Sequence, residues 1–255
     1  MKRLHTPDLL RQEAAAPLVP NRRASKPTDL SSDHLATAHA DLLKSAKGTK
    51  FRTILADPAW QFQNRTGKMA PEHRRLNRYG TMTVDEIASL PVAQIADDVS
   101  HLYLWVPNAL LPEGLHVLKA WGFEYKTNFI WYKIRKDGGP DRRGVGFYFR
   151  NVTEIVLFGV RNKPARGVAK KAARTLKAGR TQPNILATRK REHSRKPDEL
   201  YDIIEACSPG PRMELFARGT RPGWTTWGDQ AEDYKVTWST YAHNSSAQRD
   251  LLAAD

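Results

Sequence analysis

The stretch FRTILADPAW, residues 51–60, decides the fold. Phe51 to Ala56 is a strand-length run of apolar and β-branched residues, a pattern that suits a buried, pleated segment. Asp57 and Pro58 end it, because proline pushes the residue before it away from helical geometry. Outward from this point the texture recurs as HLYLWV (101–106), FIWYKI (129–134), EIVLFGV (154–160), NILAT (184–188) and MELFA (213–217). Helical segments lie between these runs. Thr83 with Glu86 makes a capping box at the head of TVDEIASL. Apolar spacing predicts a helix over Leu110 to Trp121, stopped by Gly122. From Pro197 to Cys207, a first-turn proline is followed by Leu200, Ile203, Ile204 and Cys207 on one helical face. Strands alternating with helices predict an α/β domain, its sheet mainly parallel and covered by helices on both faces. Ligands of such sheets bind beyond the carboxyl ends of the strands. Chemistry is therefore sought directly after each strand.

A chain of 255 residues allows one sizeable domain with tails. Residues 1–48 read as a flexible N-terminal tail, with scope for a short helix over Leu35 to Leu43. Residues 49–230 read as the catalytic domain and 231–255 as a C-terminal tail in which VTWSTY could add a strand. The single cysteine, Cys207, excludes an internal disulfide and multi-cysteine zinc motifs. Apolar runs are too short to cross a bilayer, and the first residues lack the apolar core of a secretory signal. The expectation is a cytoplasmic, metal-free protein that stays off membranes. Its charge is less ordinary. A net +14 and a pI near 10.0 favour a polyanionic partner. Thirteen Lys or Arg residues fall between Arg161 and Lys196, against one acid, Glu192. Charge runs are often only a solvated surface, but this shortage of acids points to phosphate contact.

Asp57-Pro58-Ala59-Trp60 places a carboxylate at the strand tip, with an indole nearby that could stack on a base. Alone, the tetrapeptide could equally be turn chemistry beside a core tryptophan. Seven further segments narrow the choice: RYGTMTVDEI (78–87), LYLWVPN (102–108), GFEYKTNFIWYKI (122–134), NVTEIVLFGV (151–160), SRKPDELYDIIE (194–205), SPGPRMELFAR (208–218) and PGWTTWGDQ (222–230). In this order the set resembles the adenine N-methyltransferase family named for the seventy-kilodalton catalytic subunit of the eukaryotic messenger-RNA methyltransferase. Bacterial and phage DNA-adenine enzymes belong to the same family. The resemblance runs from about Phe51 to Gln230, and the family tetrapeptide is Asp-Pro-Pro-Trp, so Ala59 departs from it.

The resemblance implies a Rossmann-like fold that uses S-adenosyl-L-methionine to methylate the exocyclic amine of adenine. The Asp57 carboxylate and the Pro58 carbonyl would accept the amine hydrogens, while Trp60 would hold the ring by stacking. Ala59 relaxes Pro58 without removing any of these groups. For the donor, it implies Lys196 at the carboxylate, Asp57 at the ammonium and Glu214 at the ribose hydroxyls. Leu215, Phe216 and Arg218 would line the same pocket, and Asp229 and Gln230 would reach ribose and adenine. On the substrate side Tyr79 matches a residue near the acceptor base. Arg65 and Arg78 lie in a basic segment after the tetrapeptide, and Lys170, Lys171 and Arg174 lie in the long basic run. DNA is favoured over RNA as the acceptor, because the RNA enzymes' zinc fingers need more than one cysteine. An RNA methyltransferase and a non-catalytic partner subunit are the competing readings. Assembly as a homodimer or with a partner subunit stays open.

Overall fold

The computed structural model describes residues 32–61, 81–142, 148–163, 174–189 and 195–228. In chain order the elements are α1 (Ser32–Ser45), β1 (Phe51–Ala56), α2 (Val84–Ser89), α3 (Val92–Ile95) and β2 (Ala96–Val106), followed by α4 (Leu111–Ala120), β3 (Glu124–Ile134) and β4 (Thr153–Asn162). The last four are β5 (Ile185–Arg189), α5 (Glu199–Cys207), β6 (Arg212–Leu215) and β7 (Trp224–Trp227). The seven strands form one sheet in the order β5-β3-β4-β2-β1-β6-β7.

Pairing is parallel except where β4 meets its neighbours β2 and β3. A parallel partner requires a crossover, usually helical. No helix is described between β3 and β4, so the chain turns back on itself and β4 runs against the rest. The reversal matters for the site. It brings the first residues of β4 to the end of the sheet where β1, β2 and β6 finish.

Alternate side chains of a strand face opposite sides, and both sides are covered. Ile54 and Ala56 of β1 pack in one cluster with Leu42 of α1, Ile87 of α2 and Val117 and Leu118 of α4. Between them, Leu55 faces the other cluster, which holds Leu200, Ile203, Ile204 and Cys207 of α5. These four are the apolar face expected for that helix. The capping box forms as well: Thr83 Oγ1 accepts from the Glu86 N–H at 3.2 Å, and the Glu86 carboxylate accepts from the Thr83 N–H at 2.6 Å.

Several boundaries differ from expectation, and β2 and β3 each begin five residues earlier than His101 and Phe129. Residues 32–45 form α1, and Leu42 and Ala46 lie in the core, so the folded unit begins before residue 49. β6 stops at Leu215, short of Ala217, because Phe216 takes a left-handed backbone with φ of 61°. β7 (Trp224–Trp227) lies within the motif PGWTTWGDQ and is a strand beyond those the apolar runs predict. VTWSTY lies outside the described residues.

Candidate functional site

Asp57 stands at the tip of β1, where its backbone N–H reaches the Leu215 carbonyl of β6 at 3.4 Å. The turn behind it is fixed from several directions. The Pro58 carbonyl accepts from the Trp60 N–H at 2.9 Å, and Ala59 accepts from the Met82 N–H at 2.9 Å. A carbonyl has two lone pairs, so Pro58 can still accept from a ligand. Ala59, at the departure from the family's second proline, leaves this turn intact.

Trp60 differs from expectation. It is 4% exposed and belongs to the core, and its indole N–H donates to the Trp105 carbonyl at 2.9 Å. A ring covered in this way offers no open face to a base. Its work here is to anchor the turn that carries Asp57 and Pro58, because a buried indole N–H needs its partner.

An ionic cluster surrounds Asp57. The Lys196 ammonium lies 3.1 Å from Asp57 Oδ1 and 3.1 Å from Glu154 Oε2, and Lys133 meets the other oxygen of Glu154 at 2.5 Å. Lys196 also sits 5.0 Å above the Trp105 ring. Burial raises the Asp57 carboxyl above its ordinary value, with Lys196 pulling down and Glu154 adding to the rise. For Glu154 burial would also raise the value, but Lys196 and Lys133 outweigh it and hold the carboxyl at about 2. Burial opposes the Lys196 charge, yet its two carboxylates more than compensate and its pKa is raised. An ammonium has three donors, so one remains after these two contacts.

Beside this cluster lies a cleft of about 690 Å³, counting its open mouth, lined by Asp57, Trp105, Lys196, Glu214, Phe216 and Arg218 among others. Glu214, on β6, accepts a 2.7 Å hydrogen bond from the Tyr201 hydroxyl. Burial lifts its carboxyl to about 7, against the Tyr201 hydrogen bond and the Arg221 charge, which lower it. Asp57, Lys196, Glu214, Phe216 and Arg218 thus line one cleft, and Leu215 is fully buried. Arg174 does not join them. It borders a second cleft with Lys126 and Arg180, at the start of β3 and the end of β4. Lys126 and Lys133 are seven residues apart on β3, about 23 Å at strand rise. Asp229, Gln230, Tyr79, Arg65, Arg78, Lys170 and Lys171 lie outside the described residues.

Glu154, Trp105, Tyr201, Asp198 and Arg221 were not singled out from the sequence. Only Glu154 gave a signal, as an acid opening the apolar run EIVLFGV. Gly228 carries no signal in the sequence beyond its place in the motif PGWTTWGDQ. A Cβ there would stand 2.6 Å from the Ala217 nitrogen and 2.8 Å from the Phe216 carbonyl carbon. Such crowding forces backbone movement at the cleft wall. Gly228→Ala is expected to cost about 1–3 kcal/mol, read as a fall in Tm, and an unchanged Tm would show that the wall yields.

A mainly parallel sheet, wrapped on both faces and carrying this strand-end cleft, defines a Rossmann-like methyltransferase fold. The chain belongs to the MT-A70 family, whose match covers residues 51–230. Methyltransferases of this family use S-adenosylmethionine as methyl donor. The chain is 32% identical over 191 residues to the N(6)-adenosine-methyltransferase MT-A70-like protein of Drosophila melanogaster, covering 73% of this chain and 28% of that protein. With the human N(6)-adenosine-methyltransferase catalytic subunit METTL3 it is 32% identical over 190 residues, again covering 28% of the relative. It is 28% identical over 203 residues to the type II methyltransferase M.MunI of a Mycoplasma species, covering 80% of that protein. The chain therefore spans less than a third of the two animal relatives but most of the bacterial one.

Proposed function

We propose that this protein transfers a methyl group from S-adenosylmethionine to the exocyclic amine of adenine in DNA. The observation that carries this is the Asp57 carboxylate, held by Lys196 next to the Pro58 carbonyl on the rim of the Glu214 cleft. Adenine's amine is a poor nucleophile because its lone pair is delocalised into the ring. Two acceptors at one strand tip can take both amine hydrogens and free that lone pair. Positioning is then the main contribution of the protein. The base must leave its stack to reach these groups.

The cleft suits the donor's chemistry. A zwitterionic amino-acid end needs a cation and an anion, supplied by Lys196 and Asp57. A ribose diol needs an acceptor, supplied by Glu214. When bound, the donor supplies an electrophilic methyl on a sulfonium. A pH dependence follows. Glu214 accepts from the diol best as a carboxylate, so donor affinity should be highest above pH 7 and weaken as pH falls through it. Stability runs the other way. A raised carboxyl stabilises the ligand-free fold at low pH, and that contribution is lost as pH rises through about 7. Calorimetry with S-adenosylhomocysteine across pH 6–8.5 reads the first effect (about two units centred near Glu214's value). A flat profile would remove Glu214 from the site.

One observation favours DNA, and a second favours a nucleic-acid substrate of either kind. One relative is a type II methyltransferase, a DNA-modifying class, which the chain matches over 203 residues. The β3–β4 connection also exposes Tyr148 (94%) and Phe149 (86%) between Arg142 and Arg150. Aromatics among cations suit unstacked bases and phosphates. Labelled methyl transfer to DNA and RNA in parallel, followed by nucleoside analysis, is the test. N6-methyladenine in DNA supports the proposal; transfer to RNA alone overturns the choice of acceptor, and transfer to neither overturns the activity.

A further inference from the structure

A continuous run of contacts borders the same cleft. The Tyr201 hydroxyl of α5 donates to Glu214 Oε1 at 2.7 Å. The guanidinium carbon of Arg221 lies 3.8 Å from the centre of the Tyr201 ring. Arg221 Nη2 in turn meets Asp198 Oδ1 at 2.8 Å, while Asp198 Oδ2 takes Arg195 Nη2 at 3.1 Å. Asp198 is 6% exposed, at the head of α5. Trp224 of β7 packs edge-to-face with the same tyrosine, with ring centres 5.4 Å apart. Arg195, Asp198, Tyr201, Glu214 and Arg221 all line the cleft.

Stability alone does not account for this arrangement, because a buried ionic cluster is often no more stabilising than apolar residues of the same volume. What it does is fix a direction. A carboxylate at the end of a glutamate side chain can rotate, and only one orientation presents an oxygen squarely to a diol. A hydroxyl on one oxygen sets that rotation and leaves the other for the ligand. The hydroxyl stays in place only if its ring does. Arg221 and Trp224 both hold the ring, and Asp198 holds Arg221.

We propose that Tyr201 is the positioning residue for Glu214, and that the Asp198–Arg221 pair locks it in place for donor binding. The proposal rests on the donor site described above and adds the part of the wall that aims its ribose acceptor. The groups facing Glu214 are Tyr201 from α5, Arg221 from the segment after β6, Asp57 from β1 and Asp198 from the head of α5.

The experiment is calorimetric titration with S-adenosylhomocysteine from pH 6 to 8.5 on the full chain and on Tyr201→Phe, with steady-state donor kinetics beside it. Tyr201→Phe keeps the ring against Arg221 and Trp224, so the fold should survive. Donor affinity should fall about tenfold at pH 8, the size expected for a hydrogen bond to a charged group. The donor KM should rise by more than kcat falls. The pH midpoint of affinity should also move upward, by on the order of one unit, because the hydroxyl no longer favours the carboxylate. Asp198→Asn removes a charge that itself raises Glu214, so its midpoint should not move upward, but donor affinity should fall by less than in Tyr201→Phe and the two losses should add little to each other. If the parent binds and Tyr201→Phe matches it at every pH, this proposal alone is overturned. A parent that binds no S-adenosylhomocysteine overturns the donor site and this proposal together. Lower thermal stability in Tyr201→Phe with no change in midpoint or KM would also overturn it, leaving a packing role.

Discussion

Asp57→Ala should abolish methyl transfer while leaving the protein folded. The carboxylate sits at a strand tip, one-quarter exposed, so truncating it opens no core cavity. Nor does it strand a charge, because Lys196 retains Glu154 at 3.1 Å. What disappears is an acceptor for the amine, together with the anion assigned to the donor's ammonium. The Pro58 carbonyl stays where it is, but a single acceptor cannot take both amine hydrogens. Loss of a group placed to manage a reacting proton typically costs about 10²–10⁴ in rate, which would put turnover at the limit of detection. Single-turnover transfer with enzyme in excess checks this, with circular dichroism to confirm folding. Undiminished transfer would mean another acid activates the amine. Glu154 would be the first suspect, as it shares Lys196. Asp57→Asn is a sharper control: it keeps an acceptor oxygen but loses the charge that Lys196 orients, so its rate should fall between the two.

The parts legible in the sequence are those that local physics dictates. FRTILA had to be a strand that ended at Asp57-Pro58, and the helix from Pro197 showed its buried face in the spacing of Leu200, Ile203, Ile204 and Cys207. Lys196 and Glu214 were found through their resemblance to known motifs, and the structure brings both to one cleft. What stayed hidden depends on partners distant in the chain. Glu154 becomes a site residue only because β4 runs antiparallel, which swings its start toward Lys196, more than forty residues later. Tyr201 looked like one more position on an amphipathic helix until Glu214 and Arg221 closed around it. The burial of Trp60 followed from the Trp105 carbonyl, which no spacing rule locates. Gly228 was unremarkable until the wall behind it left no room for a Cβ.

Lys196→Met should produce the largest combined loss, in stability and in donor binding. The ammonium stands between two carboxylates at 3.1 Å each, and all three side chains are mostly buried. Removing one partner from such a pairing is expensive, because the remaining charge stays desolvated without its counter-ion. Glu154 keeps Lys133 at 2.5 Å, but Asp57 loses the cation that lies against it. The expected loss is therefore about 3 kcal/mol, at the low end for a broken buried pair. Its pH dependence has a definite sign. Glu154 is held down at about 2, so its stabilising contribution is present above the ordinary value of 4.5 and fades as pH falls toward 2. The raised Lys196 contributes below its ordinary 10.5 and loses that contribution only as pH climbs beyond it. The deficit of Lys196→Met should accordingly be full at pH 7 and shrink at pH 3. Urea unfolding at both values tests it, and a midpoint equal to the parent's at pH 7 would rule out a structural role. The double variant Lys196→Met, Glu154→Gln separates the two functions. Neutralising Glu154 removes its repulsion of Asp57 and should restore part of the stability. S-adenosylhomocysteine should still fail to bind, because the cation assigned to the donor carboxylate remains absent. If binding returned with stability, the donor would owe nothing to Lys196 itself.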